Sequence, residues 1–161
     1  MRVIATKNAH ADKYDQLKFV RDDGSSSSIA MPRQGILPHD LIHYVVESQL
    51  PFQFGFLRQV VSGADAGFVM EEIHDVTNPN VSVEAVQVEA IVEALQTQLW
   101  SGVFDQEMFL YAVEMACSAR ATAAPVWQDE GAKRLLFQRA LELATEWQAV
   151  PVSSAFELML A

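Results

Sequence analysis

The chain has 161 residues, of which 50% are hydrophobic and 20% are charged, and its formal net charge is −10. This length predicts a single domain over residues 1–161, and the composition excludes a disordered chain. The negative charge, together with the absence of any run rich in Lys and Arg, argues against a nucleic-acid or anionic-membrane surface.

Cysteine use and hydropathy indicate a compartment. Cys117 is the single cysteine, so the chain forms no internal disulfide, which is typical of a reducing environment. The first residues lack the apolar stretch of a signal peptide, and no apolar run is long enough to span a membrane. We therefore expect a cytoplasmic protein.

The first 31 residues are predicted to be rich in strands. Residues 14–21 partly alternate and place Leu17 and Phe19 on one face, as in a half-buried strand. The Asp-Asp-Gly run that ends at Gly24 predicts a tight turn, because glycine takes the positive φ that such a turn needs. Further strands are predicted over residues 3–5 and 25–31.

A helical body is predicted over residues 38–150. Its helices are expected over 38–50, 53–62 and 82–100, with Ser82 as the cap of the last and Glu89 near its positive end. Two further helices are expected after Asp105 and Asp129 as their caps, with residues 63–81 irregular. In the helix after Asp105, the spacing of apolar residues predicts a buried stripe made of Met108, Tyr111, Ala112, Met115 and Ala119.

The last residues, 153–161, are predicted either as a strand that closes the opening sheet or as a frayed helix. The resulting fold class is α+β, with a small antiparallel N-terminal sheet packed on a bundle of about five helices.

One cluster in the first predicted helix has a pattern that suits chemistry. His39 and His43 lie four residues apart, so they project from one helix face within reach of a common ion. Asp40 follows the first histidine and Glu47 continues the row. On a helical wheel the histidines lie at the edge of the apolar arc and both acids lie just outside it. The pattern predicts a divalent-metal site, with zinc as the expected ion.

The geometry of one helix limits this site to two ligands. An ion shared by His39 and His43 cannot also reach Glu47, two helical turns from His39. A third ligand must come from elsewhere, and the nearby segment offers His74 or Glu71, with Glu72 and Asp75 beside them. Asp40 or Glu47 would then act as a catalytic base or support a ligand, as in a hydrolase or lyase.

The five residues from His39 to His43 resemble two known motifs. They are similar to the HExxH motif of zincins with Asp in place of Glu, which implies that Asp40 acts as a general base. They also resemble the HDxxH motif of a helical family of ubiquinone-biosynthesis proteins, which implies bound zinc. That family places a Glu twelve residues after the second histidine, where this sequence has Gly55. Residues 32–47 further resemble a bacterial family with an HDxxH helix, for which no activity is implied.

A structural explanation of the cluster stays open from the sequence alone. An acid at Asp40 is favoured by the first turn of a helix, and His43 with Glu47 can form an ordinary i,i+4 pair. The chain would then be a homodimeric interaction module that uses an apolar helix face, or a small-molecule binder with an apolar pocket. Arg33, just before the helix, is a candidate contact for an anion or a substrate carboxylate.

Overall fold

The computed structural model describes residues 1–161 as one antiparallel sheet of four strands packed on six helices. The predicted α+β fold is confirmed. The strands occur in the spatial order β3-β2-β1-β4. Their bounds are Arg2–Lys7 (β1), Tyr14–Val20 (β2), Ser26–Pro32 (β3) and Ser154–Met159 (β4).

The sheet buries one face, as the alternation of β2 predicts. Leu17 and Phe19 are fully buried, and they pair across the sheet with Ala5 and Val3, which are fully buried too. Such cross-strand pairs on one face are the unit that stabilises a sheet. Gly24 has a φ of +85°, so the predicted turn between β2 and β3 has the backbone conformation that favours glycine.

The C-terminal residues form a strand, as one of the two sequence-based predictions states. β4 pairs antiparallel with β1, from Arg2 opposite Met159 to Lys7 opposite Ser154. The sheet stays open rather than closed, because β3 and β4 each have a partner on one side only. The two ends of the chain are therefore held together by the sheet.

The helices follow the predicted order, with one addition. Helices α1, α4 and α5 begin close to the residues expected, and Ser82 and Asp105 cap α4 and α5 by accepting the N–H of Ala85 and Met108. A capping side chain satisfies a backbone N–H that has no partner within the helix. The six helices are His39–Gln49 (α1), Phe56–Val61 (α2), Ala66–His74 (α3), Val83–Ser101 (α4), Gln106–Ala119 (α5) and Ala132–Ala149 (α6).

The prediction that residues 63–81 are irregular is wrong. Helix α3 occupies nine of them, with Asp65 as its cap accepting the N–H of Phe68. Ala66, Val69 and Ile73 are buried at helical spacing, so packing stabilises a helix too short to persist alone. The prediction of Asp129 as the cap of α6 is also wrong, because Gly131 holds that position.

The predicted core stripe of α5 is wrong in its phase. Phe109, Val113 and Cys117 are the buried residues, while Met108, Tyr111 and Met115 are more than half exposed. Both sets repeat every three or four residues, so periodicity alone did not distinguish them. Packing of α5 against α4 decides which set is buried.

Helix α1 lies at the centre of the fold and positions the site. It packs against α4, α6, α2 and β3. Its buried residues include Leu41, Ile42, Val45 and Val46, but also Asp40, His43 and Glu47. No helix in the structure is both long and apolar enough to cross a lipid bilayer.

A candidate metal centre between three helices

Three side chains from three helices converge on one point. His39 from α1, His74 from the end of α3 and Glu89 from α4 each present one ligand atom, and these atoms lie within 4.8 Å of one another. Glu89 Oε1 is 3.3 Å from His39 Nε2 and 3.2 Å from His74 Nε2. A tetrahedral zinc ion with bonds of about 2.0–2.1 Å separates its ligand atoms by roughly 3.3–3.4 Å. This His/His/Glu group, in which Glu89 is buried and His74 is exposed, could hold a metal ion.

The ring of His39 is oriented for coordination. Its Nδ1 lies 2.9 Å from Gln96 Oε1, so in the neutral ring Nδ1 carries the proton and Nε2 carries the lone pair. Nε2 is a buried atom without a hydrogen-bond partner, although Glu89 Oε1 is close by. In that tautomer Nε2 and Glu89 Oε1 are two acceptors facing each other, an arrangement that a cation between them would stabilise.

Glu89 carries a buried negative charge. Burial acts to raise the pKa of this carboxyl, but the rings of His39, His43 and His74 around it outweigh burial and hold the pKa well below its usual range. Hydrogen bonding to Glu89 raises the pKa of His74. Glu89 is thus an anionic ligand at neutral pH.

His43 lies behind Glu89 and bridges two acids. Its Nδ1 is 3.2 Å from Glu47 Oε1, and its Nε2 is 3.1 Å from Glu89 Oε2. Burial acts to lower the pKa of His43, but the hydrogen bonds to Glu47 and Glu89 outweigh it and raise the pKa to about 10. His43 is therefore an imidazolium that donates from both ring nitrogens, which fixes the orientation of the Glu89 carboxylate.

Glu47 is anchored by the first turn of α2. Its two carboxylate oxygens accept the N–H groups of Leu57 and Arg58, at 3.0 and 3.2 Å. A Cβ added to Gly55 would overlap this carboxylate and come within 2.6 Å of its Cδ. Position 55 is where the ubiquinone-biosynthesis family has a Glu, so in this fold a side chain there would displace Glu47.

Both acids of α1 are more buried than the helical wheel predicts. Glu47 is fully buried and Asp40 nearly so, which corrects the expectation that they lie outside the apolar arc. The reason is that β3, α2 and α4 all pack on α1 and cover more of its surface than one stripe.

Asp40 lines a cavity next to the histidines. The cavity has a volume of about 740 Å³, and His39 and His74 form part of its wall. Glu89 lines a smaller neighbouring cavity of about 200 Å³, which His74 also borders. Burial raises the pKa of Asp40, because an apolar environment disfavours the charged carboxylate.

The structure separates the other predicted residues from this group or leaves them at its edge. Glu71 lines the cavity of about 740 Å³ but is not among the three converging ligands. Arg33 donates to Asp15 at 2.8 Å and to the backbone carbonyls of Asn8 and Ala9 at 3.0 Å. These contacts engage Nε and Nη2 of its guanidinium, and anion binding by Arg33 stays a prediction.

Sequence reasoning did not identify Glu89 or Gln96 as site residues. Glu89 was interpreted as an acid near the positive end of α4. One sequence signal could have pointed to them. Glu89 and Gln96 are seven residues apart, so they lie on the same side of α4. That side borders the apolar stripe of Val88, Val92 and Leu95, where a buried polar side chain needs a partner.

Comparisons of the chain with protein-family models, with curated proteins and with solved structures find no match. The resemblances carried by residues 39–43 therefore rest on those five residues. The geometry is compatible with an HDxxH-type helix, since Asp40 is buried near the histidines. The site must be interpreted from its own side chains.

Proposed function

We propose that this chain is a divalent-metal-binding protein in which His39, His74 and Glu89 coordinate the ion. The observation that carries the proposal is the buried Nε2 of His39, which has no hydrogen-bond partner although Glu89 Oε1 lies 3.3 Å away. His43, the ligand predicted from the sequence, instead supports Glu89, because both of its ring nitrogens already contact carboxylates.

Zinc is the ion that the ligand set favours. Two imidazole nitrogens and one carboxylate oxygen are typical of catalytic zinc sites, which keep a fourth position for water or substrate. The same set is used by non-haem iron proteins, so metal selectivity is part of the test. The cavity of about 740 Å³ beside His39 and His74 gives a substrate access to that fourth position.

The chemistry proposed is hydrolytic or lyase-like. Asp40 lines the cavity with both histidines, and no hydrogen bond joins its carboxylate to another side chain. A carboxylate with a raised pKa, close to a metal-bound water, is suited to act as the general base. Glu47 has no such role, because its carboxylate contacts only His43 and the start of α2.

The test is the metal content of protein purified without an affinity tag or chelator and then incubated with zinc, manganese or iron(II). We expect about one ion per chain in the wild type, and none retained after gel filtration in the variants His39→Ala, His74→Ala and Glu89→Gln. His10→Ala is the matched control, since His10 is an exposed histidine and its loss should leave metal content unchanged. Far-UV circular dichroism checks that each variant is folded. A wild-type protein that retains no ion would refute the proposal.

A second candidate function is a homodimeric interaction module in which the histidines are structural. It is favoured by the stripe of Met108, Tyr111 and Met115 on α5, which the fold leaves exposed. Contiguous exposed apolar side chains are typical of interaction surfaces. This candidate predicts a mass in solution that rises with concentration and returns to that of a monomer in Tyr111→Glu, with no bound metal in either protein.

A further inference from the structure

We infer that the ligand of the cavity beside His39 and His74 is an extended polypeptide with a basic side chain, which adds to the free edge of β3 as a fifth strand. The inference deepens the proposed function, because it names what lies next to the metal group. Its binding step rests on separate observations and does not require the ion.

The hydrogen-bond pattern of the sheet identifies the free groups on β3. Met1 and Leu160 exchange both backbone hydrogen bonds, and in an antiparallel pair such residues alternate with pairs that exchange none. The same alternation continues through the pairing of β4 with β1 and of β1 with β2. It leaves Leu17 and Phe19 as residues of β2 that do not bond to β1. Their backbone N–H and C=O groups therefore point toward β3.

On β3 itself, Ser27 and Ile29 therefore bond to β2, and the N–H and C=O groups of Ser28 and Ala30 face away from the sheet. The bond from the Arg21 N–H to the Ser25 carbonyl at the turn has the same phase. Ser28 and Ala30 are exposed, and no backbone hydrogen bond from a loop or helix reaches them. A row of unpaired groups on an edge strand is a template for strand addition.

This edge forms one wall of the cavity that contains the histidines. Ala30 and Pro32 of β3 line it together with His39 and Asp40. Pro32 lies on the outward side, where a residue without an N–H costs no hydrogen bond, and it ends the usable edge. A fifth strand lies about 4.8 Å from β3, inside the cavity and beside the metal group.

One face of α3 forms the opposite wall. Gly67, Met70, Glu71 and His74 line the cavity, at the spacing of residues that share a helix face. Gly67 presents no side chain to the groove, so this part of the wall is formed by backbone alone. The cavity is thus a groove between a sheet edge and a helix, which suits an extended chain.

Charge selects the side chains of the ligand. Asp40, Glu71 and Asp75 line the groove, and no Lys or Arg does. The whole chain has a formal net charge of −10, so its field attracts basic peptides and repels acidic ones. Pairing through the backbone makes few other demands on peptide sequence.

The test uses ¹⁵N-labelled full-length protein and an acetylated, amidated octapeptide of Thr and Ser with one central Lys, with and without zinc. Amide hydrogen exchange of Ser28 and Ala30 should slow about tenfold when the free peptide is at ten times its Kd. The amides of Ser27 and Ile29, already bonded to β2, are internal controls whose exchange should not slow. The same peptide with a central Glu should bind at least about tenfold more weakly.

Two variants test the edge directly. Ala30→Pro removes the outward N–H without removing a bond to β2, and it should weaken peptide binding about tenfold, the magnitude of one lost hydrogen bond. Val103→Ala changes an exposed residue outside the groove and should bind as the wild type does. Should Ala30→Pro fail to fold, a peptide N-methylated at alternate residues gives the same test on the wild-type protein.

The outcomes separate this inference from the proposed function. Loss of zinc binding with peptide binding retained would refute the metal site and leave the edge as a peptide surface. Either of two results would overturn the fifth-strand inference. In the first, the protein binds zinc but amide exchange at Ser28 and Ala30 does not slow with peptide. In the second, exchange slows equally with both peptides and Ala30→Pro has no effect.

Discussion

Replacement of Gly55 by alanine should destabilise the protein strongly, although Gly55 has no positive φ and no role as a ligand. Its φ is −68°, which alanine adopts without strain. The new Cβ would overlap the Glu47 carboxylate, which is fully buried and fixed by three contacts. A shift of Glu47 leaves the buried N–H of Leu57 unpaired and removes one partner of His43.

The magnitude follows from these losses. Breaking a buried ion pair costs about 3–5 kcal/mol, and each buried N–H left without an acceptor costs about 1–3 kcal/mol. Since relaxation recovers part of this, we expect the free energy of unfolding to fall by about 3–5 kcal/mol, a large fraction of the roughly 5–15 kcal/mol typical of a folded protein. The assay is urea denaturation of the chelator-treated protein, followed by circular dichroism and by tryptophan fluorescence.

Two variants control for the glycine itself and for Glu47. Gly67→Ala brings a methyl group to 3.3 Å from Asp65 Oδ1, with no buried carboxylate to displace, and it should cost far less than Gly55→Ala because alanine also favours helices. In a Glu47→Ala background the cost of Gly55→Ala should largely disappear, giving a strongly non-additive cycle. A loss below about 1 kcal/mol in the wild-type background, or full additivity in the cycle, would refute the claim that a fixed Glu47 carboxylate fills this space.

Three further outcomes are expected. The metal-free protein should lose stability as pH rises from about 6.5 to about 10. The reason is that His43 has a pKa of about 6.5 in the unfolded chain and about 10 in the folded protein. The stability that its charge contributes is therefore complete below a pH of about 6.5 and is lost as the pH rises through about 10. His43→Gln should flatten that slope in denaturation curves, and an unchanged slope would contradict the assignment. The same variant should keep about one zinc per chain but bind it about 10–100-fold more weakly by competition with a chelator, whereas complete loss of zinc would make His43 a direct ligand. Asp105→Ala should lower stability by about 1 kcal/mol, seen as a lower Tm, because Asp105 accepts the N–H of Met108 at the start of α5; an unchanged Tm would mean that this cap contributes nothing.

Much of the fold could be predicted from local signals that act within one element. The alternation of Leu17 and Phe19, the turn at Gly24 and the cap at Ser82 are each decided by neighbours in sequence. The phase of α5 could not be predicted, because two apolar stripes compete and only contact with α4 selects between them. Helix α3 was missed because loops with Gly, Asp and Asn surround a short helix that tertiary packing stabilises.

The candidate site was predicted only as far as one helix contributes to it. The i,i+4 pair of His39 and His43 is visible in the sequence, and so is the chance that His74 joins them. The assignment of Glu89 needs the crossing of α1 with α4, which no spacing within either helix shows. The crossing also decides which histidine is a proposed metal ligand and which one supports Glu89. Glu89 contacts both His39 and His43, whereas Glu47 contacts only His43.

The charges of the buried cluster bear on which of the two candidate functions is right. Asp40, Glu47 and Glu89 are buried carboxyls, and His43 is the one buried residue among them that carries a stabilised positive charge. When all three acids are ionised, two negative charges remain uncompensated, which is costly in a protein interior. A divalent cation at His39, His74 and Glu89 supplies two positive charges at the point where the acceptor atoms already converge. Without an ion, the same balance requires two protons, and the groups whose pKa values are raised toward holding one are Asp40 and His74. Protons balance the charge but leave the buried Nε2 of His39 without a hydrogen-bond partner, whereas an ion at the proposed site would give both this atom and Glu89 Oε1, 3.3 Å away, a common partner.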